Sequence, residues 1–314
     1  METRQMRLFV AIAEEGSLSA AAARIGVAQP SLSQMMKSLE ERLGVELIAR
    51  SPRGITLTDA GTVLLKHARE ILEATDRGVE EVRLSGTEAV GPVTFGLPSS
   101  VSMVLSVPLA ETVRLTLPQV SLRVVEAMSG FIRDWMLDRS VDLGILYEIA
   151  ALRHCHARLL MTEDLHFFSA PDAWPLPTPP GEPVPLPLIA KQELVLPSPS
   201  HGLRSMIDRF ARDDSLRLNV VLEMDALTQI KSLVARGSAY SILAPAAAHD
   251  FSAAGQLVSS RIVEPVMRRP VYLVRDQKRP LTRASREVEQ ITIEVICDLV
   301  NRGIWIADLS EDLR

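Results

Sequence analysis

At Gly91-Pro92 the chain changes character, and two different hydrophobic periods meet there. Before that point apolar residues recur at helical spacing almost throughout, and the only prolines are Pro30 and Pro52. After it, short apolar runs at 93–97, 122–125 and 143–146 have the length and residue types of buried strands. Helical stretches near 101–116 and 130–139 separate them. Strand alternating with helix implies a largely parallel sheet with helices on both faces. A second set follows, with strands at 165–169, 194–196, 218–223 and 240–243 and helices near 202–213 and 226–236. A strand at 271–274 and a helix of about 283–302 close the pattern. One helical unit thus precedes two α/β units. A length of 314 residues suits two or three domains of roughly 100–200 residues each.

Composition excludes several classes. With 47% hydrophobic and 23% charged residues the chain is globular rather than disordered. A net charge of −5 rules out coating nucleic acid by bulk positive charge, so any nucleic-acid site is a local patch. Two cysteines, Cys155 and Cys297, make no disulfide framework and fit a reducing compartment. No apolar run reaches the roughly 18 residues of a membrane span. The first residues carry no apolar export region, because Glu14, Glu15 and Gly16 interrupt it. A cytoplasmic protein with no membrane partner is the expectation. Eight prolines between 171 and 187 read as a stiff surface loop.

The helical unit begins with a helix over about 4–14, stopped by Gly16. Ser17 is an N-cap for an alanine-rich second helix, 18–25. After Gly26, Pro30 sits at the first position of a third helix, where its missing N–H costs nothing. Leu32, Met35 or Met36, Leu39 and Leu43 form the buried face of that helix. Gln29, Ser31, Ser33, Gln34 and Lys37 form the other. The alanines let two helices cross closely, as in a helix–turn–helix, and the polar helix fits a major groove. From Leu18 to Leu39 the charged residues are Arg24 and Lys37, both basic. Residues 47–58 read as two short strands around a turn, a wing from which Arg50 and Arg53 reach phosphate or the minor groove. The candidate contacts to double-stranded DNA are therefore Ser17, Gln29, Pro30, Ser31, Ser33, Gln34, Lys37, Arg50 and Arg53.

In order, the Phe9 helix, Gly16-Ser17-Leu18, the alanine run, Gln29-Pro30-Ser31-Leu32-Ser33, Leu39-Glu-Glu-Arg-Leu-Gly44, Arg50 and Thr58-Asp-Ala-Gly61 form a long motif. It resembles the winged helix–turn–helix of the LysR-type transcriptional regulators. The resemblance implies an N-terminal all-α winged helix–turn–helix with a long linker helix, followed by a C-terminal α/β two-lobed effector domain like the periplasmic binding proteins. It also implies dimers of dimers, contact with RNA polymerase and control of a neighbouring gene. The segments Asp142-Leu-Gly-Ile-Leu-Tyr147-Glu148 and Leu196-Pro-Ser198 are most similar to the family's nitrogen assimilation control branch.

The boundaries that follow are 1–58 for DNA binding, 59–87 for a linker and dimerisation helix, 88–305 for effector binding, and 306–314 for a tail. In the linker, Leu64, Ala68, Ile71, Thr75, Val79 and Val82 step by four and three, a heptad-like stripe that needs covering. Packing on its own chain would cover it; so would a homo-oligomer, the expected arrangement, which also sets two recognition helices about 34 Å apart for two half-sites. Lobe 1 spans about 91–163 and 268–305 and lobe 2 about 164–267, with crossings near 162–167 and 263–269.

Ligands of open α/β sheets bind beyond the carboxyl ends of the strands. Those positions hold Ser99, Ser100, Ser129, Ser198, Ser200, His201, Thr228 and Pro245. Hydroxyls and free N–H groups at helix N-termini favour a small anionic effector such as a carboxylate. The resemblance supports Ser99, Ser100 and Ser129. Arg204 is either an anion partner or part of a surface ion pair. The expected switch is a population shift, which requires unequal effector binding by two states.

No Gly-x-Ser-x-Gly, phosphate loop, His-Glu-x-x-His or Gly-x-Gly-x-x-Gly occurs, so neither an enzyme nor a cofactor is expected. No metal is expected either, since His154, Cys155 and His156, adjacent in a strand, point to opposite faces. The α/β part alone would also suit a solute-binding protein. Residues 1–86 and the lack of an export signal argue against that.

Overall fold

The computed structural model describes residues 2–51, 54–83, 89–150, 152, 154–277 and 281–314. They form two compact units, Met1–Thr87 and Glu88–Arg314.

The first unit contains α1 (Thr3–Glu15), α2 (Leu18–Ile25), α3 (Gln29–Leu43), β1 (Ile48–Ser51), β2 (Gly54–Leu57) and α4 (Asp59–Arg83). The first three helices each end at a glycine in the left-handed conformation. Phe9, Ile12, Ala21, Leu32, Leu39, Leu47 and Ala68 are buried together. Each large one contributes roughly 1.5–3 kcal/mol by leaving water. Met36 is the buried methionine of α3, and Leu43, expected inside, is 43% exposed. The antiparallel β1–β2 ribbon is fixed where β1 begins and β2 ends. The Glu40 carboxylate accepts the N–H groups of Leu47 (2.8 Å) and Ile48 (3.2 Å). Thr58 Oγ1 donates to the Glu46 carbonyl (2.7 Å) and accepts from the Gly61 N–H (3.0 Å), which caps α4.

The stripe along α4 divides in two. Leu64 and Ala68 pack into this unit's own core, together with Leu65 and Leu72. Ile71, Val79 and Val82 stay exposed.

The second unit contains β3 (Gly91–Pro98), α5 (Ser99–Thr116), β4 (Val120–Ala127), α6 (Ser129–Leu137), β5 (Leu143–Leu146), β6 (Cys155–Asp164), β7 (His166–Ser169), β8 (Val184–Pro185), α7 (Leu186–Ile189), β9 (Leu194–Leu196), α8 (Gly202–Asp213), β10 (Val220–Glu223), α9 (Leu227–Ala235), β11 (Ser241–Leu243), α10 (His249–Ala253), β12 (Val258–Val263), β13 (Arg268–Asp276), α11 (Arg283–Asn301) and β14 (Asp308–Leu309).

One sheet has the order β14-β6-β13-β5-β3-β4. Only β5, β3 and β4 run parallel; β13 is antiparallel to both β5 and β6. The sheet is thus mixed rather than largely parallel, because β13, which returns from the other lobe, enters it in reverse and β14 pairs antiparallel with β6. Helices α5 and α11 bury one face, and α6 covers the other. Gly96 makes room for α6: a Cβ there would stand 2.9 Å from Ile132 Cγ2.

In the other lobe, β11-β7-β12-β8 form four strands and β10-β9 form two. The Val195 N–H donates to the Tyr240 carbonyl (2.8 Å), and the Tyr240 N–H to that of Glu193 (2.9 Å), which joins β9 to β11. Period-2 alternation sends Phe167, Leu194, Leu196 and Ile242 to one face and Phe168, Val195 and Leu243 to the other.

The chain passes between the lobes twice, from β6 into β7 and from β12 into β13. The Leu165 N–H donates to Met267 (2.9 Å) and the Ile262 N–H to Leu165 (3.1 Å), so the two passages run side by side. Asp164 joins them through Arg261 (2.8 Å) and Arg268 (2.9 Å).

Two segments differ from expectation. The tail 306–314 supplies β14, which pairs with β6, and packs Leu309 and Leu313 against the core. The proline-rich stretch is no mere surface loop, since Leu176, Val184 and Leu186 are buried.

Candidate functional site

The first unit presents a polar helix face. Gln29, Pro30, Ser31, Gln34 and Lys37 are exposed on α3, and Ser33 is half-buried. Ala28, at the N-cap, offers no side-chain acceptor, so the first N–H groups of α3 face outward with Gln29 and Ser31. Ser17 lies one helix away and caps α2, its Oγ accepting from the Ala20 N–H at 3.4 Å. Arg24 is held by Glu14 and Glu15, each at 3.0 Å. Among the described residues Lys37 makes only an exposed contact with Glu41 at 3.7 Å, which leaves it available to a phosphate. The Arg50 side chain and all of Arg53 lie outside the described residues.

In the second unit a cavity opens between the two lobes. Lobe 1 contributes Ser99, Ser100, Ser129, Tyr147 and Arg269; lobe 2 contributes His201, Leu203, Asp225, Leu227, Ile230 and Ala244. The enclosed part is about 40 Å³. It continues into a wider cleft of about 660 Å³ that shares Ser129, Tyr147 and Arg269 and adds Ser200 and Arg209. Helices α5 and α6 begin at Ser99 and Ser129 behind Pro98 and Met128, which offer no side-chain cap. Ser129 Oγ lies 3.1 Å from where a Cβ on Gly202 would stand, so the starts of α6 and α8 face each other across the cleft.

Behind Ser100 lies a buried polar cluster. The Arg269 guanidinium, 3% exposed, contacts Glu163 through Nε (2.8 Å) and Nη2 (2.6 Å). Nη2 also donates to Ser100 Oγ at 3.3 Å, and the guanidinium lies 3.7 Å from the Tyr147 ring centre. Tyr147 Oη and Ser100 Oγ share a 2.6 Å hydrogen bond, and the Trp305 indole donates to Glu163 Oε2 at 3.0 Å. Burial opposes the Arg269 charge, but Glu163 more than offsets it and keeps the guanidinium protonated. Burial pushes the Tyr147 phenol up to about 12, so it remains a hydroxyl.

On the opposite wall the Ser198 N–H (2.9 Å) and Oγ (2.8 Å) donate to Asp225 and hold its carboxyl below the usual range. His201 Nδ1 accepts the Leu203 N–H at 3.1 Å and caps α8; burial first, then Arg269, lowers its pKa, against the pull of Asp225.

Two family models match the chain: the bacterial regulatory helix-turn-helix protein of the lysR family over residues 3–62, and the LysR substrate binding domain over residues 86–297. The chain belongs to the LysR family. It is a DNA-binding transcriptional regulator with a substrate-binding effector domain, and the family is not one of enzymes. The nitrogen assimilation regulatory protein nac of Klebsiella aerogenes is 29% identical over 309 residues, covering 98% of this chain and 99% of its own. That of Escherichia coli is 28% identical, covering 94% and 95%. Among solved structures, a full-length, cysteine-substituted OxyR from Pseudomonas aeruginosa matches at TM-score 0.69 with 22% identity, covering 94% of each chain. Full-length CbnR complexed with its target DNA matches at TM-score 0.54 with 22% identity, covering 94% of this chain and 99% of that one.

Within this LysR-type regulator the structure brings Ser99, Ser100, Ser129 and His201 together on the enclosed cavity. Ser200 lies on the outer cleft, and Ser198 acts behind the wall through Asp225. Thr228 is exposed and off the cavity, because α9 turns Leu227 and Ile230 inward and carries Thr228 away. Pro245 is buried at the start of a 3₁₀ turn whose Ala244 and Ala247 face the cavity instead. Arg204 is engaged by Asp208 and Glu223, each at 3.0 Å, rather than turned to the cleft. Sequence reasoning missed Arg269, Glu163, Asp225 and Trp305. Their one signal is charge in or beside a strand pattern, at Glu163 and Arg269 above all. Among the described residues no helix is long and apolar enough to cross a membrane.

Proposed function

We propose that this LysR-type regulator is a cytoplasmic, sequence-specific switch whose DNA-bound state is set by a small carboxylate held between its two lobes. The observation that carries this reading is the meeting of the α5 and α6 N-termini, with Ser99, Ser100 and Ser129, on one cavity beside Arg269. Backbone N–H groups, hydroxyls and a buried guanidinium all favour a carboxylate there.

Residues 1–58 bind DNA in this reading, with Gln29, Ser33 and Gln34 on base edges and Lys37, Arg50 and Arg53 on phosphate. Residues 59–87 join two copies through Ile71, Val79 and Val82, and residues 88–305 bind the effector. Two copies, or four as a pair of dimers, read paired half-sites, since one short helix alone grips DNA weakly. Closure of the lobes on the effector then alters the set of the DNA-binding pairs and their contact with RNA polymerase.

The test is a titration of purified protein against the region upstream of its own gene and a scrambled duplex, at one fixed salt concentration. Preference for the upstream duplex, altered by a carboxylate in wild type but not in Ser99→Ala, is the expected result. Equal affinity for both duplexes overturns the reading.

A further inference from the structure

We propose that the cleft selects a zwitterion, an amino acid whose carboxylate meets the free edge of Arg269 and whose ammonium meets Asp225. The proposal rests on the reading of the cleft as the effector site and names the chemical class that fits it.

Arg269 supplies the first half. Its Nε and Nη2 are engaged by Glu163 and Ser100, and its plane lies on Tyr147. Nη1 has no hydrogen-bond partner among the described residues, yet it is not sealed inside protein, and Arg269 lines both the enclosed cavity and the outer cleft. A guanidinium edge held this rigidly presents donors in a fixed geometry suited to a carboxylate. Ser100 stands at the same place to take the second oxygen.

Asp225 supplies the second half. Each partner that fixes it is a neutral donor from Ser198, and among the described residues no Lys or Arg lies within ion-pair distance of it. Asp225, His201 and Arg269 all line the same enclosed cavity.

Charge balance decides between an anion and a zwitterion. Glu163 already pairs with Arg269, whereas Asp225, exposed at the mouth of the cavity, has no Lys or Arg partner among the described residues. A simple anion would add negative charge facing that carboxylate. An amino acid adds none and gives Asp225 a charge-assisted hydrogen bond. The remaining walls, Leu227, Ile230 and Ala244, suit a small aliphatic portion, and the enclosed space of about 40 Å³ opens into the cleft of about 660 Å³, which leaves room for an amino acid that spans both.

The test is calorimetry on the full-length protein with three matched series: the proteinogenic amino acids, the corresponding carboxylic acids lacking the amino group, and the corresponding amines lacking the carboxyl. At least one amino acid is expected to bind about tenfold or more tighter than both its counterparts. Asp225→Asn is expected to reduce that amino acid to the level of its acid; the wild-type comparison carries the test alone if this variant does not fold. An acid that binds as tightly as its amino acid, and tighter still in Asp225→Asn, overturns the zwitterion and leaves an anion site. Absence of binding by every amino acid also overturns it. Acids that then still bind, and lose binding in Ser129→Trp, leave the effector cleft standing, whereas no binding by any series removes both readings.

Discussion

The Trp305 indole donates to Glu163 at 3.0 Å, with both side chains sealed from solvent. Glu163 thereby holds Arg269 on one oxygen and the segment between α11 and β14 on the other. Glu163→Gln keeps the shape and an acceptor for Trp305 but leaves a buried guanidinium without its counter-charge. Breaking such a pair from one side costs about 3–5 kcal/mol. Urea unfolding of the effector unit, followed by tryptophan fluorescence, is expected to show a loss of that size, with Trp305→Phe losing less.

Gly61 touches the Leu47 carbonyl so closely that a Cβ would lie 2.0 Å from its oxygen. Gly61→Ala therefore pushes α4 off the wing. Overpacking of this kind costs about 1–3 kcal/mol or more. Thermal unfolding of the full-length protein is expected to show the N-terminal transition move down while the effector transition stays in place.

Gln29 stands exposed at the start of α3, the helix proposed above to meet base edges. Gln29→Ala is expected to reduce discrimination between operator and random duplex by about 1–3 kcal/mol while random-duplex affinity holds. Competition titrations at one salt concentration read this. Equal loss on both duplexes would show that Gln29 touches phosphate only.

Ile71 and Val79, 41% and 47% exposed, lie on the face of α4 that its own core leaves uncovered, Val79 about two turns past Leu72, which still packs in that core. Ile71→Glu with Val79→Glu is expected to shift the protein towards monomer in sedimentation velocity and to weaken operator binding with it. An unchanged sedimentation profile would move the self-association surface elsewhere.

His166 Nδ1 lies 3.2 Å from Ser259 Oγ in the passage between lobes, and burial lowers its pKa to about 4 from 6.5, helped by Arg261 and opposed by Asp164. The unfolded chain takes up this proton before the folded one does. The stabilisation is therefore complete above pH 6.5 and is lost as pH falls towards about 4, at up to about 1.4 kcal/mol per unit. Chemical denaturation between these limits is expected to show a shallower decline for His166→Gln than for wild type.

Much of this molecule was legible before any coordinates. Helical spacing around Phe9, Ile12, Leu32 and Leu39, with glycines closing each helix, gave the first unit, because there local pattern and packing agree. Ser99 and Ser129 could be placed at strand–helix junctions, which the fold gathers on one cavity. Arg269 and Glu163 could not. They stand opposite each other in β13 and β6, and in sequence a buried ion pair looks like two surface charges. Thr228 and Pro245 lie off the cavity for a finer reason: each is one residue from a side chain that does line it, and helical rotation turns a one-residue shift into another direction. The two halves of the α4 stripe share one period, so only tertiary packing tells them apart.

The two passages between lobes also fix an order of assembly. Lobe 2 is strung between β6 and β13, so on the ribosome it is complete once residues up to about Met267 have emerged. Lobe 1 still lacks β13, α11 and β14 at that moment. Its sheet begins first and closes last, and Glu163 waits through the synthesis of a whole lobe for Arg269 and then Trp305. Because nascent chains fold in the order in which they leave the ribosome, a stop codon before Trp305 would release a folded second lobe attached to an unfinished first one.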